Sequence, residues 1–125
     1  MIGVIKNKAE IEYAVMLAVL NFQTEFMKSR YNQAHVHVSD RIIEVLLTRS
    51  ATIPAEERLG ESAEGRALLH QVHAELFKAG ASLLRNDLER ALAVKIQDIC
   101  SRLDTVAGTN VITITLTEAL QRRPN

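Results

Sequence analysis

Two stretches with a side-chain period of two enclose one long stretch with a period near 3.6, and that order constrains this chain more than any other feature. Ala34–Thr48 (AHVHVSDRIIEVLLT) alternates on both sides of Ser39-Asp40-Arg41, residue types that close turns through side-chain-to-backbone hydrogen bonds. Ile96–Leu116 reads as a second hairpin, with Ile96–Asp104 pairing Val111–Leu116 around a Val-Ala-Gly-Thr-Asn loop. Its return strand alternates Val, Ile and Thr and is the clearest strand in the chain. Ser62–Ala93 lies between them as a single helical segment, with Ser62 as N-cap and Glu64 favourable to the helix dipole. Its inner stripe is expected along Leu69, Val72, Leu76, Leu83, Leu84, Leu88 and Leu92, interrupted by Gly80. Hairpin, helix, hairpin in this order predicts an α+β fold, a two-layer sandwich. An antiparallel four-stranded sheet of two hairpins would carry two main helices on one face.

The other main helix is expected over Ala9–Ser29, where Ile11, Val15, Ala18, Val19, Phe22 and Phe26 recur at helical spacing. Met16, Leu17, Leu20 and Met27 widen that stripe, which is either absorbed wholly by the sheet or turns a second face to another subunit. A shorter helix is expected within Thr52–Gly60, with Pro54 in its first turn and a glycine at its end. At 125 residues the whole chain, 1–125, fits one domain, with 1–8 and 121–125 as loose tails.

Charge excludes some partners. Lys plus Arg and Asp plus Glu number fifteen each, so there is no basic excess of the kind that phosphate neutralisation demands, apart from the Arg122-Arg123 tail. No nucleic acid is expected as a partner. Zero net charge leaves little colloidal repulsion and favours self-association, so a homo-oligomer is expected. The longest uninterrupted apolar run, Ala14–Leu20, falls far short of the ~20 residues that span a bilayer, so no direct membrane insertion is expected. Nothing at the N-terminus is arranged as a signal peptide, and the single cysteine, Cys100, rules out an internal disulfide, so the cytoplasm is the expected location.

Little in the sequence looks like chemistry. His35 and His37 lie two apart on a strand, and His70 and His73 three apart on a helix, so each pair shares a face. Zinc or nickel accepts such imidazoles, but no cysteine pair or His-Glu-x-x-His pattern accompanies them. Exposed or hydrogen-bonded histidines are the plainer reading. Cys100 reads as a packed thiol without a base to activate it, and Asp98 and Asp104 as solvent-facing carboxylates on one strand. No catalytic residue and no cofactor is expected. The residues assigned to contacts are instead Phe26 and Met27 on the first helix, and Ile42 and Leu46 on the second face of the first hairpin.

Several anchors resemble the MpsC-like family. They are the strand–Ser39-Asp40–strand hairpin, the step Ile53-Pro54-Ala55-Glu56, and Glu64-Gly65-Arg66-Ala-Leu-Leu opening the long helix. Asp104 before the last loop and Val111-Ile-Thr-Ile-Thr-Leu116 complete the resemblance, which spans about residues 10–118. Arg30-Tyr31-Asn32-Gln33 departs from it, standing where the family has a Gly-Lys-Gly-Pro-like step. The resemblance implies a small soluble component linked to a sodium-translocating, membrane-potential-generating system, with no catalytic residues to carry over. The expected function is therefore a non-catalytic accessory or regulatory protein acting through protein contacts, with a membrane protein as a further partner. The alternative is a sensor that binds a small ligand or metal through the histidine pairs.

Overall fold

In the computed structural model, residues 7–49 and 53–120 are described. The elements run α1 (Lys8–Phe22), a π-helical turn (Gln23–Met27), β1 (Gln33–Ser39), β2 (Ile42–Thr48), α2 (Pro54–Leu59), α3 (Ala63–Leu92), β3 (Ile96–Asp104) and β4 (Thr109–Leu116). The sheet order is β1-β2-β4-β3, antiparallel throughout, so β1 and β3 form its edges. Helices cover one face only, giving the expected α+β two-layer arrangement.

Local chemistry explains where the elements begin and turn. Asn7 caps α1 in a capping box with Glu10, which starts the helix one residue before the expected Ala9. Of the expected loose tails, residues 1–6 and 121–125 lie outside the described residues. The helix expected to run straight to Ser29 changes pitch at Gln23 and ends at Lys28, which takes a left-handed φ of 57°. Asp40 takes φ 53° in the two-residue loop that joins Ser39 to Ile42. Pro54 opens α2 at the position where a missing N–H costs nothing. Ser62 Oγ accepts the Gly65 N–H at 2.9 Å at the start of α3. In the last hairpin the loop is Thr105–Gly108, so Thr109 and Asn110 already belong to the return strand. Asp104 Oδ1 accepts the Val106 and Ala107 N–H groups and shapes that loop.

Parity along the strands decides the core. Ile43, Val45, Leu47, Ile112, Ile114 and Leu116 are fully buried on the inner face, beneath Ile11, Val15 and Val19 of α1 and Leu84 and Leu88 of α3. The inner line of α3 differs from the sequence expectation. It follows Phe77, Gly80, Leu84, Leu88 and Leu92, whereas Val72, Leu76 and Leu83 are about half exposed. The cause is a broad apolar helix with two candidate stripes one residue apart. Phe77 meets Phe22 edge-on at 5.8 Å and fixes which stripe faces inward. Gly80 marks a close contact: a Cβ there would overlap the Phe26 ring.

Candidate functional site

The end of the molecule where α2 and the start of α3 meet the sheet carries its most connected polar chemistry. Arg49 follows β2 and continues the inward parity of Val45 and Leu47. Its Nη1 lies 3.2 Å from both carboxylate oxygens of Glu56 on α2, and its side chain is 13% exposed. That charge-assisted pair ties α2 to the end of the sheet. The guanidinium lies 4.9 Å from the centre of the Tyr31 ring, a cation–π contact. Burial raises the Tyr31 phenol above its ordinary pKa, while Arg49 and Asn110 pull it the other way.

Asn110 extends this group to the far edge of the sheet. It is fully buried in a series of inward residues that otherwise reads Ile112, Ile114, Leu116. Ser101 Oγ on β3 donates to Asn110 Oδ1 at 2.7 Å, and His73 Nε2 on α3 lies 2.8 Å from the same hydroxyl. With the serine proton directed at Asn110, the imidazole is the donor to Ser101. The trio positions α3 on β3 and β4. Burial lowers the His73 pKa first, and the neighbouring His70 and Arg49 lower it further, against a weaker opposing pull from Glu56. The neutral ring also stacks on Phe77, with centroids 6.5 Å apart.

Beside Arg49 is a cleft of about 320 Å³. Tyr31, Arg49 and Leu103 line it together with Ile53 and Glu57 at α2 and Val106 in the last loop. A mostly apolar wall with a partly buried cation–carboxylate pair at one end suits a small ligand or a single inserted side chain.

No helix among the described residues covers the opposite face of the sheet. Strand register sets its side chains in rows: His35, Leu46, Val111, Arg102; then His37, Glu44, Thr113, Cys100; then Ser39, Ile42, Thr115, Asp98. Ile42 and Leu46 are 45% and 38% exposed there. Cys100 is exposed on this face, which corrects the reading of a packed thiol, because its parity on β3 is outward. Asp98 and Asp104 share that face, as expected.

The two histidine pairs are not brought together. His35 and His37 sit on the edge strand β1, whereas His73 bonds to Ser101 on β3, at the opposite edge. Among the described residues no three His, Cys, Asp or Glu side chains are grouped to hold a metal ion. The two contact residues assigned to the first helix also differ from expectation. Met27 is 8% exposed and belongs to the core, and Phe26 is stacked on Phe22 at 5.5 Å and packed over Gly80. Both sit in the π-helical turn: Phe26 falls on the inward stripe even of a straight helix, and the wider turn brings Met27 to the core as well.

Sequence reasoning did not find Tyr31, Arg49, Glu56, Ser101 or Asn110. Asn110 left a signal: a polar residue at an inward position of a β-branched strand must find a buried partner. Tyr31 lies in the step where the chain departs from the pattern it otherwise resembles.

These features define a two-layer α+β domain whose buried polar residues join its elements around a small cleft and whose sheet is open on one side. No helix among the described residues is long and apolar enough to cross a membrane. The chain belongs to the family described as Na+-translocating membrane potential-generating system (MpsC), whose model matches residues 7–118. No curated protein and no solved structure matches it.

Proposed function

We propose that this chain is a non-catalytic accessory or regulatory protein of a sodium-translocating, membrane-potential-generating system. It works in the cytoplasm through protein–protein contacts, as a homo-oligomer, with a membrane protein as a further partner. The family match supplies the sodium-linked context. The observation that carries the contact role is the uncovered sheet face, where Ile42 and Leu46 expose apolar surface between polar neighbours. Apolar side chains framed by polar ones are the composition of a contact surface. The polar network is in keeping with that role, since its hydrogen bonds link one element to another.

The test uses cells lacking the protein and a fluorescent dye that reads sodium-dependent membrane potential. Wild type restores the potential. An Ile42→Asp/Leu46→Asp double variant keeps its thermal midpoint, because both side chains lie outside the core, and fails to restore it. Full restoration by that folded variant would remove the sheet face from the function.

A further inference from the structure

The outer edge of β1 has properties that the other edge of the sheet lacks. Backbone hydrogen bonds fix its parity. Arg49 N donates to Gly108 O and Leu116 N to Arg41 O, so odd-numbered residues at the two ends of β2 turn their backbone groups toward β4. Even-numbered β2 residues therefore bond to β1, opposite Gln33, His35, His37 and Ser39. Ala34, Val36 and Val38 are left with their N–H and C=O groups turned outward, along an edge that pairs with no strand among the described residues. Native edges are usually blunted by lysine, proline, inward charge or a bulge. β3 has a register irregularity between Ile96 and Asp98 and carries Asp98, Arg102 and Asp104. β1, Gln-Ala-His-Val-His-Val-Ser, has no lysine, no proline and an unbroken register.

That strand also has the same pattern in either direction about Val36. Placed antiparallel to a second copy with Val36 opposite Val36, it sets Ala34 opposite Val38, His35 opposite His37 and Gln33 opposite Ser39. Every inward apolar residue meets an inward apolar residue, and all three outward-facing backbone positions find partners. A shift of the two-fold by one residue leaves one of them unpaired. Helix α1 packs on β1, so the pairing sets a second α1 beside the first over the continued sheet. Strand pairing alone buries little area, so the joint needs a further contact to hold two copies together.

We propose that two copies of this chain join through β1 into one continuous sheet, and that the joint builds a metal site from His35 and His37 of both copies. In this register His35 and the second copy's His37 form a non-hydrogen-bonded pair, with Cα atoms about 4.5 Å apart and side chains on the same open face. The two-fold repeats the pair, so four imidazoles converge on the axis. The set of neutral nitrogen ligands suits a borderline divalent ion such as Zn²⁺, Ni²⁺ or Cu²⁺, and the site is incomplete in one copy. Glu44, which pairs with His37 on β2, adds negative charge near it. The inference rests on reading the chain as a homo-oligomer, and names the surface and the ligand that would hold the oligomer together.

The test is sedimentation velocity and native mass spectrometry on the full chain, first stripped with chelator and then titrated with Zn²⁺. The expected result is a dimer that carries a single shared zinc, with a dissociation constant lowered about tenfold or more by the metal. His37→Ala abolishes the zinc effect. Val36→Pro gives monomers at every concentration while keeping the circular dichroism of the wild type, because the N–H it removes makes no bond to β2. If that variant fails to fold, His37→Lys reads the same point, since its side chain lies on the exposed face and sets a second cation against the partner strand. A wild type that stays monomeric with and without zinc would overturn both this interface and the homo-oligomer reading. A dimer that survives Val36→Pro and His37→Lys but dissociates with Leu46→Asp would overturn the β1 joint and leave that reading standing. Zinc bound by monomers, or not taken up by the dimer, would overturn the histidine site.

Discussion

His73 shows how one side chain can be both structural and pH-sensitive. Its ring is partly buried between Phe77 and Ser101, and burial first, then His70 and Arg49, disfavour its charged form against a weaker pull from Glu56. A histidine whose folded pKa lies below the ordinary 6.5 binds fewer protons in the folded state than in the unfolded state. Its contribution to stability is therefore complete above about pH 6.5 and is lost as pH falls through the lowered value. The chain is expected to lose stability as pH falls below about 6.5, and His73→Gln to flatten that slope, as read by urea unfolding at each pH. An unchanged slope in the variant would assign the effect elsewhere. At this scale the sequence was partly legible. It paired His70 with His73 correctly as helix neighbours, but carried no sign of Ser101 and Asn110, which approach only through the fold. Met27 was misread for a related reason: a change of helical pitch at Gln23 has no marker in local composition.

Elements meet in this molecule where backbones come close. At Gly65 an added Cβ would overlap the Leu59 carbonyl, so α2 rests against the first turn of α3 only because that position has no side chain. The neighbouring bonds reinforce this contact, with Arg66 Nη1 donating to Gly60 O at 2.8 Å and Arg49 holding Glu56. Gly65→Ala is therefore expected to displace α2 and destabilise the fold by about 1–3 kcal/mol, the usual range for overpacking. Amide exchange should accelerate in Pro54–Leu59 more than in the sheet. Equal acceleration everywhere would mean that α2 is not a separately docked element. The sequence placed both α2 and the Ser62 cap, because proline, acidic first-turn residues and glycine are local signals. It did not choose between the two stripes of α3, because Leu83 and Leu84 are equally apolar and only the partner surface separates them.

Across the whole molecule, the succession of elements and the two hairpins were legible because strand and helix periods differ so clearly between Ala34 and Leu116, but the β2–β4 pairing that sets the strand order was not. The cleft at Tyr31, Arg49 and Glu56 was not legible, since it assembles residues from three separate segments and no spacing links them. Both layers leave apolar groups outside the core: Tyr13 and Leu17 on α1, Leu76 and Leu83 on α3, and Ile42 and Leu46 on the open sheet face. A chain with no net charge and this much exposed apolar surface is expected to work in association. Residue-resolved hydrogen exchange along β1, in dilute and in concentrated protein, tests that most directly. The amides of His35 and His37 bond to β2 and should be protected at both concentrations. Those of Ala34, Val36 and Val38 should exchange rapidly when dilute and become protected when concentrated. Rapid exchange of those three amides at every concentration would contradict the account.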